Sequence, residues 1–171
     1  MNHEVEIRFA DDGDVETIAR HRAAMFSEMG TLSSKSLAEM YDAAIEYLRT
    51  AVPSGEYVGW LAHEVGAPLA VVAGAGVQRR RNLPFPVRAA DGAVRVARGR
   101  QAIVLNVYTE TAWRRRGIAR RLMASVMQWA RDDGVESLVL HASPDGRPLY
   151  EQLGFVPTNE MRYAGDLHAP A

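Results

Sequence analysis

The chain contains no cysteine. That excludes disulfides, thiolate zinc sites and cysteine nucleophiles together, and it fits a cytoplasmic protein. No apolar run approaches the ~20 residues a helix needs to cross a bilayer, so no membrane partner is expected. The first residues, MNHEVEIRFADDGD, carry several acids and no apolar stretch, unlike a signal peptide. Five histidines lie scattered without paired spacing, so no metal site is expected. Net charge is −1 at pH 7. A whole-surface attraction to nucleic acid or anionic lipid is therefore not expected, and any anion site must be local. The phosphate patterns GxxxxGK[ST] and GxGxxG are both missing.

What remains is a globular composition, 47% hydrophobic and 24% charged over 171 residues, most simply one domain spanning 1–171. Val5–Phe9 alternates as a strand. Asp14 is placed to cap a helix that Val15, Ile18, Ala19 and Arg22 begin and that runs to about Met29, with Gly30 ending it. Ser33 or Ser34 caps a second helix, in which Leu37, Met40, Tyr41, Ala44, Ile45 and Leu48 recur at three- and four-residue steps. Residues 57–65 and 69–77 read as a hairpin. Residues 78–100 hold Arg79-Arg80-Arg81, Pro84, Pro86 and Asp91-Gly92, and read as a long functional or mobile loop with a small hairpin at Asp91-Gly92. Strand 102–109, helix 116–133, strand 137–142, helix 146–153 and a last strand over 155–163 complete the chain. The tail DLHAPA, 166–171, is expected to fray. The order implies an α/β (mixed α+β) fold, a mixed sheet with helices on both faces. The 102–142 segment should form a right-handed crossover between parallel strands.

Between strand 102–109 and the helix after it stands WRRRGIARR, residues 113–121. A helix start leaves backbone N–H groups unpaired and carries partial positive charge. An anion docks there readily. Gly117 lets a phosphate approach the backbone, and arginine side chains can add charge-assisted hydrogen bonds. Without an anion, cations at this end oppose the helix dipole. Arg114-x-x-Gly117-x-Ala119 resembles the pyrophosphate signature Q/R-x-x-G-x-G/A of the GNAT superfamily of acetyl-CoA-dependent acyltransferases. VYTETAWRRRG (107–117) is similar to that family's LYVDPEYRGKG. Leu149-Tyr150-Glu151-Gln152-Leu153-Gly154-Phe155 resembles its closing Tyr-x-x-x-Gly-Phe.

The resemblance implies a GNAT fold: a central, mostly antiparallel sheet whose fourth and fifth strands, here 102–109 and 137–142, splay apart to admit the pantetheine arm of acetyl-CoA. It places contacts to that arm at Val107, Tyr108 and Thr109, with a bulge freeing backbone groups there. It places the pyrophosphate on the amides of Arg115, Arg116, Gly117, Ile118, Ala119 and Arg120, with Arg114 beside them. An N–H near Val107 would polarise the thioester carbonyl. The implied reaction is N-acetylation of a primary amine by direct attack through a tetrahedral intermediate. Tyr150 is the expected general acid, its phenol protonated at neutral pH.

The match departs at two points. Ser143 stands where the family often has asparagine, and is carried as a cofactor contact. The base is unassigned: residues 102–105 hold no acid, and Glu28, Glu110, His141, a water relay or a neutral substrate remain open. Phe26, Glu28, Met29 and Tyr41 are expected to line the acceptor pocket, Glu28 attracting a cationic amine and Asn106 orienting substrate or water. His141 reads as a core histidine, His63 as a strand-surface residue, and Trp60, Trp113 and Trp129 as packing residues. Arg79–Arg81 reads as a solvated run or a contact to the cofactor's 3′-phosphate or an acidic partner. A small-molecule amine is the expected acceptor, a protein amine the alternative, and a homodimer is compatible. Two rival readings are a non-catalytic acyl-CoA sensor on the same fold and a nucleic-acid module using the arginine runs. The second would show steep salt dependence.

Overall fold

The computed structural model describes residues 4–30, 32–88 and 91–164. The expected fraying of 166–171 lies outside them. The chain divides into two compact units, Met1–His141 and Ala142–Ala171, each taken by itself.

In the first unit, β1 (Val5–Phe9) leads to α1 (Val15–Glu28) and α2 (Ser34–Ala51). Strands β2 (Tyr57–Glu64) and β3 (Ala67–Arg81) follow, then a short pair, β4 (Phe85–Arg88) and β5 (Val94–Ala97). Strand β6 (Arg100–Thr109), helix α3 (Ile118–Asp132) and strand β7 (Ser137–Leu140) complete it. Ser33 caps α2 as its side chain accepts from the Ser36 N–H. Asp14 does not cap α1 with its side chain. Its carboxylate turns back instead, taking two hydrogen bonds from Arg8 at 2.6 and 2.8 Å and one from the Asp11 N–H at 2.9 Å. A buried carboxylate needs such partners more than a helix end needs one acceptor, because water can serve the latter.

Among the described residues the main sheet runs β1-β2-β3-β6-β7, and β4 pairs only with β5. All neighbours in the main sheet are antiparallel except β6 and β7, which are parallel. Strand side chains alternate between faces, and β2 shows where each goes. Tyr57 and Leu61 join Val15, Ile18, Ala19, Leu48 and Ala51 of α1 and α2 in one core. Trp60 points the other way and meets Trp129 of α3, ring centroids 5.6 Å apart. Helices therefore cover both faces. A fully buried side chain such as Leu61 contributes about 2 kcal/mol of apolar burial.

Residues 78–100 are not one long loop: β3 continues to Arg81, which pairs with Arg100 at the start of β6. Only the stretch between them departs from the sheet, and it forms the β4–β5 hairpin. Arg79, Arg80 and Arg81 are exposed, so this end of the ladder is solvated and shows no hydrophobic alternation, although its backbone pairing continues. His63 is buried, not a surface residue, with Nδ1 3.2 Å from the Glu64 carbonyl. His141 is exposed and lies beyond the end of β7, not in a core strand.

The second unit contains α4 (Arg147–Gln152), after a turn in which the Ser143 carbonyl accepts from the Arg147 N–H. The strand expected over 155–163 does not form among the described residues. Pro157 has no N–H to give a ladder, and Val156, Met161 and Tyr163 are exposed.

Candidate functional site

Strand β6 carries the first part of the site. Its pairing with β7 runs from Gln101–Ser137 to Val104–Leu140 and stops. Leu105–Thr109 therefore has no β7 partner on that side. On its other side, Gly74 of β3 faces Tyr108 while Gly76 faces Leu105. One residue of β3 thus spans two of β6, a β-bulge at Asn106 and Val107. Asn106 has φ 55°, a left-handed conformation that asparagine adopts more easily than bulkier residues. The bulge anticipated in this strand is present, beside the unpaired stretch.

Helix α3 carries the second part. Its N-cap is Gly117, with φ 75°, and Arg115 before it has φ 62°. A Cβ built on Gly117 would meet no atom within 4 Å, so the space in front of the helix start is open. Ile118 is buried by its side chain and can offer only its backbone to that space. Ala119 is small and partly covered, and Arg115 and Arg120 are exposed. Arg116 folds back: it donates to the Ala112 carbonyl at 2.9 Å and lies 4.9 Å over the Trp113 ring. Arg114 turns away from the helix. It donates to Glu28 Oε2 at 2.5 Å and to the Thr109 carbonyl at 2.9 Å, its guanidinium 5.7 Å over the Tyr108 ring.

The end of α1 meets β6 through polar side chains. Tyr108 donates to Glu28 Oε1 at 2.9 Å, so both Glu28 oxygens are bound. Burial pushes the Glu28 carboxyl up, but the hydrogen bonds from Arg114 and Tyr108 outweigh it and hold the group below its usual range. Asn106 is buried with both ends of its amide engaged. It accepts from Arg22 Nη1 at 2.7 Å and donates to the Tyr57 hydroxyl at 3.2 Å. Burial raises the Tyr57 phenol to about 12, so it stays protonated. Gly76 makes room for it: a Cβ there would stand 1.9 Å from the Tyr57 hydroxyl. His21 lies alongside, 2% exposed, its ring centroid 5.1 Å from that of Tyr108. Neither ring nitrogen has a hydrogen bond among the described residues. Nε2 stands 3.4 Å from Glu110 Oε1, a carboxylate already taken by Arg20 at 2.7 Å. Burial, and then the Arg20 cation, push the imidazole down to about 4 against the pull of Glu110. It is neutral at neutral pH.

Ser143 and Tyr150 belong to the second unit. The Ser143 hydroxyl accepts from the Gly146 N–H at 3.2 Å, inside the turn before α4. Tyr150 packs edge-on against Phe155, centroids 6.0 Å apart, and burial raises its phenol. Phe26 lies under Arg22, 5.0 Å from guanidinium to ring centroid, while Met29 is exposed.

Sequence reasoning passed over Arg22, Tyr57 and His21. For Arg22 a signal was present: an arginine on the apolar stripe Val15, Ile18, Ala19, Arg22 of an amphipathic helix. Among the described residues no group of three or more His, Asp or Glu could hold a metal ion, and no helix is long and apolar enough to cross a membrane.

Comparison with known proteins places these features in a family. The acetyltransferase (GNAT) domain matches residues 88–168. A GCN5-related N-acetyltransferase from Ralstonia eutropha JMP134 is 32% identical, with 94% of this chain and 97% of that one covered and a TM-score of 0.81. A predicted acetyltransferase from Clostridium acetobutylicum, solved with acetyl-CoA, is 23% identical over 95% of this chain and 96% of that one, TM-score 0.76. An aminoglycoside N-acetyltransferase in complex with CoA shares the fold at 15% identity over 98% of this chain and 97% of that one, TM-score 0.65. No curated protein matches. With a bulged, half-unpaired β6 leading toward a glycine-capped helix, and with the Ralstonia eutropha relative 32% identical and aligned along nearly its whole length, the chain belongs to the GNAT family of acetyltransferases.

Proposed function

We propose that the chain is a single acetyltransferase domain, working in the cytoplasm, that moves an acetyl group from acetyl-CoA to a primary amine of a small molecule. The observation that carries this is the conjunction at β6 and α3. A strand with free backbone groups leads, through a 3-10 turn at Thr111–Trp113, to a helix start where a Cβ on the capping Gly117 would meet no atom within 4 Å. A diphosphate fits such a start because several N–H groups and the helix dipole converge on it. The amides of Arg115, Arg116, Gly117, Ile118, Ala119 and Arg120 would hold it, with Arg115 and Arg120 adding side-chain charge. The edge at Val107, Tyr108 and Thr109, unpaired with β7, suits an amide-bearing arm laid alongside it, as in strand addition. Two relatives with this fold were solved with acetyl-CoA and with CoA.

In this reading the amine attacks the thioester carbon in its neutral form, the C–S bond breaks, the departing thiolate takes a proton and leaves as CoA thiol, and the proton shed by the amine nitrogen passes to water. The Val107 N–H, freed by the bulge, would stabilise the carbonyl oxygen as its charge grows. Tyr150 would protonate the departing sulfur, and Ser143 would touch the cofactor. Glu28, held ionised by Arg114 and Tyr108, acts on a cationic amine by its charge; a carboxyl held that low is a weak base.

Calorimetric titration of acetyl-CoA tests the reading, with Gly117→Glu as its control. Saturable binding is expected in the wild type. In the variant it should weaken by more than about a hundredfold, since a carboxylate would occupy the anion position. Absence of wild-type binding would overturn both the enzyme and the sensor.

A further inference from the structure

Four arginines stand around α1 and the strands it covers, and three have a carboxylate. Arg8 holds Asp14, Arg20 holds Glu110 and Arg114 holds Glu28. Arg22 does not. Its hydrogen bond among the described residues goes to the neutral amide of Asn106, at 2.7 Å, and its guanidinium lies over Phe26. Arg22 is not fully exposed, as a solvated arginine on an outer helix face would be. It occupies the apolar stripe of α1, and its one hydrogen-bond partner is a buried residue, Asn106. A charge taken from water without a counter-ion is unfavourable. Burial accordingly pulls the Arg22 pKa down, and no acid raises it. Guanidinium stays charged even so. Nη1 is spent on Asn106, which leaves Nε and Nη2 with no bonded partner among the described residues. Two adjacent N–H groups in that fork match the two oxygens of a carboxylate.

The placement says where the anion would come from. Asn106 is the bulge residue of β6, next to Val107, and Glu28 lies farther along the same helix. We propose that Arg22 binds a carboxylate of the acceptor, so that the amine acetylated belongs to an amino acid or a similar amine bearing a carboxylate. The inference rests on the acetyltransferase reading above and deepens it. In the substrate, the carboxylate anchors on Arg22 and Phe26 supplies an apolar wall. The amino group then faces the bulged strand. Polyamines and other amines without an anionic group lack the anchor and become poor acceptors.

Matched pairs of acceptors test this: leucine against isopentylamine, tyrosine against tyramine, lysine against cadaverine. CoA thiol release is followed with wild type, Arg22→Met and Arg22→Lys, each checked for folding by circular dichroism and for acetyl-CoA affinity by calorimetry. The expected result is a preference of thirtyfold or more in kcat/KM for at least one carboxylate-bearing member. That preference should collapse in Arg22→Met and persist in part in Arg22→Lys, which keeps the charge and loses the fork. Acetyl-CoA affinity should stay within a factor of about two throughout. Equal or better turnover of the decarboxylated amines overturns the proposal, as does an unchanged preference in Arg22→Met. A loss of acetyl-CoA affinity in Arg22→Met also overturns it, because the anion is then a phosphate of the cofactor. If acetyl-CoA binds and no pair is turned over, N-acetylleucine and N-isopentylacetamide are titrated in the presence of CoA. Binding of the first that depends on Arg22 upholds the site, and its absence rejects it. Failure of acetyl-CoA to bind at all condemns the acetyltransferase reading instead.

Discussion

The two ends of the proposed site are built in opposite ways. The end proposed to hold the anion is a run of consecutive residues: strand β6 stops, Arg115 and Gly117 adopt left-handed conformations, and α3 begins. The end proposed for the acceptor is assembled across the chain. Arg22 meets Asn106, Tyr108 meets Glu28, and Arg114 meets Glu28, pairs separated by 84, 80 and 86 residues. The first end would work through backbone, whose N–H groups are the same whatever the side chains. The second would work through side chains, each of which must have a particular partner. Local backbone chemistry tolerates substitution. The buried amide of Asn106 does not, because removing Arg22 or Tyr57 leaves one of its ends unsatisfied.

The largest expected effect sharpens that contrast at His21. Its folded pKa is about 4, below the roughly 6.5 of an unfolded chain. Between those values the unfolded chain takes up a proton that the folded protein does not. The stability contributed by neutral His21 is therefore complete above pH ~6.5 and is lost as pH falls toward ~4, by about 3 kcal/mol. Asp14 and Glu28, held below the usual carboxylate range, lose their contributions in more acid solution, as pH falls through their folded values. Urea unfolding from pH 7 to 4 measures the loss. His21→Phe should remove the slope in this window without harming stability at pH 7, since neither ring nitrogen is hydrogen-bonded. A slope unchanged in the variant would show that His21 does not cause it.

Next in size is Tyr150. With the amine that the wild type turns over fastest, Tyr150→Phe should lower kcat about a hundredfold, the lower range for a lost general acid, with KM little changed. An unaltered kcat would leave proton donation to water. The smallest effect is expected at Arg116. Its side chain is occupied by the Ala112 carbonyl and the Trp113 ring, so Arg116→Ala should change acetyl-CoA affinity by less than about threefold. A loss as large as that of Gly117→Glu would break the comparison, placing side chains in charge at the anion end too.

The sequence was legible where the chemistry is contiguous. Strand 102–109, the arginine-glycine turn and the helix after it stand close to where the spacing put them. Glu28 was placed at the acceptor side, but its link to Arg114 was not foreseen. Asn106 was read as touching substrate or water, and its amide is engaged at both ends within the protein. Nothing in a strand's alternation announces a partner on a distant helix. Arg22 was passed over as a helix-face residue, although a charge on an apolar stripe signals a buried requirement. The arginines of 79–81 concealed a strand, because ladder pairing uses backbone and leaves no mark in a solvated, charged segment.

One extra residue at the bulge is taken up where it stands. Leu105 and Tyr108 stand opposite Gly76 and Gly74, which share a face of β3, though an odd number of steps separates them along β6. Their agreement exists because β6 carries one extra residue there, Asn106 and Val107 together spanning the single Ala75. Removing one of the two would regularise the ladder: Leu105 and Tyr108 would keep Gly76 and Gly74 opposite them, and Tyr108 would keep its side. What would vanish is the bulge itself, with the left-handed turn at Asn106. The extra residue is thus a local device that the rest of the strand can do without.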